Sequence, residues 1–143
     1  MSIAVLGAGS WGTALAVLLA RNGVPTEMWG HDPAHMGRLA RARENVEFLP
    51  GVPLPESLGL SADLGAVLAR AGDLLLVVPS QFFGQVLERV RPALRPGSRV
   101  AWATKGLEPE TARPLHEVVG EHLGLDVPVA VVSGPTFARE VAR

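Results

Sequence analysis

Three glycines, Gly7, Gly9 and Gly12, stand in the spacing Gly-x-Gly-x-x-Gly. Before them lies a short apolar run, Ile3-Ala4-Val5-Leu6, and after them a run with helical periodicity, Thr13 to Ala20. Such a strand, turn and helix suit a pyrophosphate. Gly7 permits the tight turn, Gly9 lets the backbone approach the ligand, and Gly12 lets the helix pack close on the strand. The free N–H groups and the positive dipole end of the helix then face the phosphates. A ligand-free βα turn has the same spacing, so the context has to carry the reading. That context is a second strand, Thr26 to Gly30, followed by the acidic Asp32 about 20 residues past the turn.

Three further stretches hold groups able to act on a ligand. His31-Asp32-Pro33 reads as a helix start, with Asp32 as N-cap and Pro33 at the first helical position. Asp32 is also placed to bond a ribose 2′-OH, and His31 or an arginine of the next helix to meet a 2′-phosphate; both uses stay open. Lys105, in Thr104-Lys105-Gly106-Leu107, follows an apolar strand. It is either a solvated surface lysine or a cation that polarises a carbonyl or attracts a phosphate. Ser133-Gly134-Pro135-Thr136 is a turn before a helix, whose hydroxyls cap that helix or meet a polar substrate.

Other chemistries find little support. The chain has no cysteine, hence no disulfide, thiolate site or cysteine nucleophile. Its four histidines, His31, His35, His116 and His122, form no metal-ligand pattern, and no metal is expected. Ser80 lacks a nucleophile elbow. A formal net charge of −1 argues against nucleic acid as a partner. No apolar run approaches a membrane span and no signal segment precedes the first strand, so the expected location is cytoplasmic.

The elements that must position these groups alternate along the chain. After a helix stop at Arg21-Asn22-Gly23 come the second strand and a helix from Ala34 to about Arg43, carrying Arg38, Arg41 and Arg43. Glu44 to Leu58, with Pro50, Pro53 and Pro55, reads as a stiff, extended connection. It is held down by Phe48 and Leu49, or lies over a cofactor. A short third strand at 58–61 and a helix from Leu64 to Arg70, capped by Asp63 or Ser61, follow. The unbroken run Leu74 to Val78 is expected as a central strand buried on both faces. Then come a helix from Gln81 to Val90, a strand from Arg99 to Ala103, a helix from Pro109 to Leu123, a strand from Val127 to Val132 and the start of a helix at Phe137. This alternation predicts an α/β fold, a doubly wound parallel sheet of the Rossmann dinucleotide-binding kind, over residues 1–143. The final helix shows no stop signal, which suggests a longer parent sequence.

Taken in order, five pieces resemble the bacterial NAD(P)-dependent glycerol-3-phosphate dehydrogenases. They are Gly7 to Ala16, the loop Asn45…Phe48-Leu49-Pro50, Val78-Pro79-Ser80, Lys105-Gly106-Leu107-Glu108 and Ser133 to Val141. The resemblance implies hydride transfer between NAD or NADP and dihydroxyacetone phosphate or glycerol 3-phosphate, feeding glycerophospholipid synthesis. It implies that Ser10 and Trp11 bind the cofactor at the turn and that His31 sits on the adenosine side. Phe48 stands where tyrosine is usual, and Thr136 where serine is usual. Lys105 is implied on both cofactor and substrate, Gly134 and Thr136 on substrate, and Ala138 on cofactor. It further implies a helical C-terminal domain with a general-base lysine and a phosphate-holding Arg-Asn pair, none of it within these residues. A homodimer is a further expectation. Two other classes stay open: a non-catalytic nucleotide-binding regulatory module, and a dehydrogenase of another hydroxy acid or sugar.

Overall fold

The structure, a computed structural model, describes residues 2–143. Strand β1 (Ser2–Leu6) feeds helix α1 (Ser10–Arg21) through the glycine turn. Helix α1 ends in a paired backbone motif: Gly23 N–H donates to Ala20 O and Val24 N–H to Leu19 O, with Gly23 at φ +79°. Strand β2 (Thr26–Trp29) leads into α2 (Pro33–Ala42), whose first turn is capped by Asp32.

Within the segment expected as a stiff, extended connection, β3 (Glu44–Asn45) and β4 (Leu49–Pro53) pair as an antiparallel ribbon. A two-stranded ribbon has outer edges that demand no N–H, so Pro50 and Pro53 are tolerated there. Strand β5 (Gly59–Ser61), α3 (Leu64–Arg70), β6 (Ala71–Leu76) and α4 (Ser80–Val90) follow. Strand β6 lies earlier than its apolar run suggested: Val77 and Val78 fall past its end.

Strand β7 (Arg99–Trp102) precedes the largest departure from expectation. The helix expected from Pro109 begins only at Leu115, as α5 (Leu115–Leu123). Residues 107–114 form a closed bend, pinned by a bridge between Leu107 and Pro114, by Glu108 N–H to Arg113 O, and by Ala112 at φ +54°. Pro114 is the cause: it disfavours helical backbone at Arg113 and lies just before the first helical residue. Strand β8 (Val129–Val131) and a four-residue helix, α6 (Ala138–Val141), complete the order.

The large sheet runs β5-β2-β1-β6-β7-β8 with every pair parallel. Counting only its own strands along the chain, that order is 3-2-1-4-5-6, the doubly wound arrangement. Side chains of β1 alternate between two cores, one on each face. Ala4 and Leu6 join Leu74, Leu76, Phe83, Leu87, Val100 and Trp102 under α3, α4 and α5. Val5 joins Ala14, Val17, Met28, Leu39 and Leu49 under α1, α2 and the ribbon. With both faces covered, the strand order reverses between β1 and β6, and a crevice must open outside their C-terminal ends.

Candidate functional site

The crevice is there. It has a volume of about 570 Å³, and its walls come from the glycine turn, the ends of β2 and β6, and the residues after β7. Of the residues singled out from sequence, Gly7, Gly9, Ser10, Trp11, Gly12, His31, Asp32, Phe48 and Lys105 all line it.

The turn is built by close backbone approach. Leu6 O accepts from Val77 N–H at 2.8 Å, and Gly7 N–H donates to Trp29 O at 2.9 Å. Gly7 has φ +132°, and a Cβ there would stand 2.7 Å from Val77 O. A Cβ on Gly12 would stand 2.0 Å from Gly7 O, so helix and turn are in backbone contact. Around Gly9, by contrast, a Cβ would meet no atom within 4 Å, which leaves the crevice side open. Helix α1 begins at Ser10, three residues before the expected start, with Gly9 as an extended N-cap and no side-chain cap. The N–H groups of Gly9, Ser10, Trp11 and Gly12 therefore have no acceptor among the described residues. Unpaired donors at an open helix N-terminus, beside a position with no side chain, fit a pyrophosphate.

Asp32 Oδ1 accepts from Ala34 N–H at 3.0 Å, so its cap is made. His31 and Asp32 both reach the crevice wall at the end of β2. Arg38, on α2, is engaged elsewhere: its guanidinium pairs with Glu47 at 2.6 Å. Phe48 is half exposed on the ribbon's loop, edge-on to His35 with ring centroids 5.3 Å apart.

Lys105 leaves the end of β7 and places Nζ 4.8 Å from the centroid of the Trp11 ring. A cation over an indole face is held without a counter-charge. Lys105 and Trp11 stand where the crevice meets a neighbouring hollow lined also by Ser10, Phe48, Thr136 and Ala138. A third hollow joins Trp11 and Lys105 to Gly134 and Thr136. Gly134, Thr136 and Ala138 are thus outside the main crevice but adjoin it through the same Lys105–Trp11 pair.

Ionisable groups with displaced pKa values sit away from this site. The Arg99 guanidinium holds the Asp73 carboxyl below the usual carboxylate range, at the opposite ends of β6 and β7. Glu108, in the bend after Lys105, is lowered chiefly by the Thr111 hydroxyl. Among the described residues no group of three or more His, Cys, Asp or Glu is placed to hold a metal ion. Among the described residues no helix is long and apolar enough to cross a membrane.

The sequence reading missed what lies beneath the turn. Asn45 is fully buried, and its carboxamide bonds Ala8 O, Thr13 Oγ1 and the His35 ring. In the sequence Asn45 stands out only within the loop that carries the family resemblance, and His35 only as one of four histidines with no metal-ligand pattern. No spacing rule joins positions 13, 35 and 45; the fold alone brings them together.

A parallel sheet of this order, with an open glycine turn at its switch point, defines a dinucleotide-binding domain of the Rossmann type. Comparison with known proteins narrows the class. Residues 2–143 match the model of the family described as NAD-dependent glycerol-3-phosphate dehydrogenase N-terminus, and the chain belongs to that family. It is 56% identical over 140 residues to a glycerol-3-phosphate dehydrogenase [NAD(P)+] of Pasteurella multocida, covering 98% of this chain and 42% of that protein. It is 59% identical over 142 residues to the Aeromonas hydrophila protein of the same name, covering 99% and 42%. The crystal structure of glycerol-3-phosphate dehydrogenase from Coxiella burnetii superposes with a TM-score of 0.93 at 47% identity, over 99% of this chain and 43% of that one. The chain thus spans about two fifths of the length of the curated relatives it matches.

Proposed function

We propose that this chain binds NAD or NADP in the crevice and is the cofactor-binding part, residues 1–143, of a dehydrogenase. The reaction is reversible hydride transfer between NAD(P)H and dihydroxyacetone phosphate, giving glycerol 3-phosphate, the backbone of glycerophospholipids. The observation that carries this reading is the open glycine turn, with four N–H groups that have no acceptor among the described residues, on residues that line a crevice at the switch point of a sheet of this family.

When bound, the cofactor supplies or accepts a hydride at its nicotinamide ring, and the protein orients and polarises. Gly7 and Gly12 hold turn and helix together, while Gly9, Ser10 and Trp11 offer their N–H groups to the pyrophosphate. His31 and Asp32 take the adenosine ribose at the β2 end of the crevice. Phe48 gives an apolar wall. Lys105 serves both ligands, since it borders the crevice and both adjoining hollows. Its ammonium attracts the substrate's phosphate or polarises its carbonyl oxygen. Gly134 and Thr136, in hollows that adjoin the crevice, take the substrate side and Ala138 the cofactor side, as the family resemblance implies. The proton that must accompany the hydride moves through the general-base lysine of the helical C-terminal domain that the family resemblance implies. The enzyme so completed works in the cytoplasm, as a homodimer.

Calorimetric titration of the folded chain with NADH and with NADPH tests the cofactor half of the proposal. One saturable site of micromolar-range or weaker affinity is expected, with a matching rise in melting temperature. A ligand at about 100 times its Kd stabilises by about 2.7 kcal/mol. No heat and no melting shift with either nucleotide would refute it. Turnover of dihydroxyacetone phosphate by the full-length protein tests the rest; preference for a non-phosphorylated substrate overturns the substrate assignment.

A further inference from the structure

Asn45 is fully buried beneath the glycine turn, and all four hydrogen-bonding positions of its carboxamide are used. Nδ2 donates to Ala8 O at 3.0 Å and to Thr13 Oγ1 at 2.8 Å. Oδ1 accepts from Phe48 N–H at 3.3 Å and lies 3.2 Å from His35 Nε2. The orientation is fixed by chemistry. A carbonyl oxygen only accepts, so the atom facing Ala8 O must be Nδ2, and Oδ1 then faces His35. His35 Nε2 must therefore carry the proton and donate. One side chain ties together the turn, the first turn of α1, helix α2 and the Phe48 loop.

The bond to Ala8 O has a consequence on the other side of the same peptide group. In a trans peptide the C=O and the following N–H point in opposite directions. Holding Ala8 O inward on Asn45 aims the Gly9 N–H away from Asn45, and residue 9 itself is open, since a Cβ there would find no neighbour within 4 Å. Thr13 N–H closes the other end by donating to Gly9 O at 3.0 Å. The Gly9 residue is thus held at both of its flanking peptide groups before any ligand arrives. Through Phe48 N–H the same carboxamide sets the position of the crevice's apolar wall.

We propose that Asn45 is a positioning residue for the cofactor: it pre-orients the pyrophosphate-binding N–H of Gly9 and couples the Phe48 wall to that turn. This rests on the dinucleotide-binding reading above. Without Asn45, Ala8 O is buried with no partner and the peptide rotates to find one, which turns the Gly9 donor away. Its bond to a charged phosphate is the strong kind, so its loss corresponds to about tenfold or more in affinity.

The experiment compares wild type with Asn45→Ala and Asn45→Leu, the second filling the volume that alanine empties. Three probes are titrated: NADH and ADP, which carry a pyrophosphate, and adenosine, which does not. Amide hydrogen exchange of ligand-free protein is measured in parallel. Expected are weakening of NADH and ADP by about tenfold or more in both variants, adenosine changed by less than about threefold, and faster exchange at Thr13 N–H with β6 and β7 unaltered. NADH affinity within about twofold of wild type overturns the proposal, as does an equal loss for adenosine and ADP, which marks a general collapse of the crevice. Wild type that binds no nucleotide refutes the dinucleotide reading instead. Exchange at Thr13 then still decides the pre-orientation: protection unchanged in the variants refutes it. Should both variants unfold, Asn45→Asp, which keeps the volume but puts an acceptor where Nδ2 donates to Ala8 O, carries the same titrations and exchange test.

Discussion

Gly9 and Gly12 lie three residues apart in one motif, and the structure assigns them opposite sensitivities to a single methyl group. At Gly12 the added Cβ would sit 2.0 Å from Gly7 O and 2.8 Å from Gly7 C. These are backbone atoms, so no side chain can swing aside, and α1 must move off the turn by at least about 1 Å to relieve the clash. Overpacking of this kind costs about 1–3 kcal/mol. At about 4 °C per kcal/mol for a chain of this size, Gly12→Ala should lower the melting temperature by about 4–12 °C. At Gly9 the backbone is extended, with φ −80° and ψ −166°, and the Cβ would meet nothing within 4 Å. Alanine is unstrained there and stiffens the unfolded chain, so Gly9→Ala should gain about 0.4–1 kcal/mol, a rise of about 2–4 °C. The same methyl occupies the space through which the backbone approaches a pyrophosphate, and NADH affinity should fall by about tenfold or more, about 1.4 kcal/mol. Differential scanning calorimetry on both variants and isothermal titration of Gly9→Ala give these three numbers. A Gly9→Ala protein that binds NADH as wild type does refutes the turn as phosphate cradle. A Gly12→Ala protein that melts as wild type does refutes the helix–turn contact.

Asp32→Ala separates capping from recognition. Loss of the bond to Ala34 N–H should cost about 1 kcal/mol, seen as a melting shift of about 4 °C. NADH should weaken more than NADPH, because a carboxylate accepts from a free 2′-OH and repels a 2′-phosphate; equal changes for the two nucleotides would reduce Asp32 to a cap. At the far end of the sheet, Arg99 bonds Asp73 through Nε at 3.0 Å and Nη2 at 2.5 Å, and lowers its pKa. A depressed carboxyl pKa contributes stability that is fully present above the unfolded-state value and is lost as pH falls through the folded value. Asp73→Asn should therefore destabilise at neutral pH, and the difference from wild type should vanish below the usual carboxylate range. Both residues are partly solvated, so the effect should be modest and shrink with salt. Urea titrations at neutral and acid pH check this, and a difference that grows on acidification contradicts the pairing.

Much of the fold was legible because its determinants are local. The apolar runs of β1 and β6, the Gly23 stop, and the Asp32 and Asp63 caps each depend on residues within a few positions of one another. The same holds for the crevice residues of the turn, which form one contiguous stretch. Errors fell where two local signals competed. Pro109 suggested a helix start, but Pro114 disfavours helical backbone at Arg113, and α5 begins at Leu115. Three prolines suggested a stiff, extended connection, but a ribbon edge needs no N–H from Pro50 or Pro53, and packing of Leu49 and Val52 against α1 and α2 selects the pairing.

The sequence by itself determined the class of domain and the location of its glycine turn. Gly-x-Gly-x-x-Gly between a strand and a helix is a statement about backbone geometry, and backbone geometry at glycine is set by the residue itself. The tertiary structure alone decided what holds that turn in shape and what meets across it. Asn45, Thr13 and His35 converge under Ala8 only after the ribbon folds onto α1 and α2. Lys105 reaches Trp11 only because β6 places β7 beside the switch point. Burial and hydrogen-bond geometry depend on distances between elements remote in the chain, and those distances are absent from any local pattern.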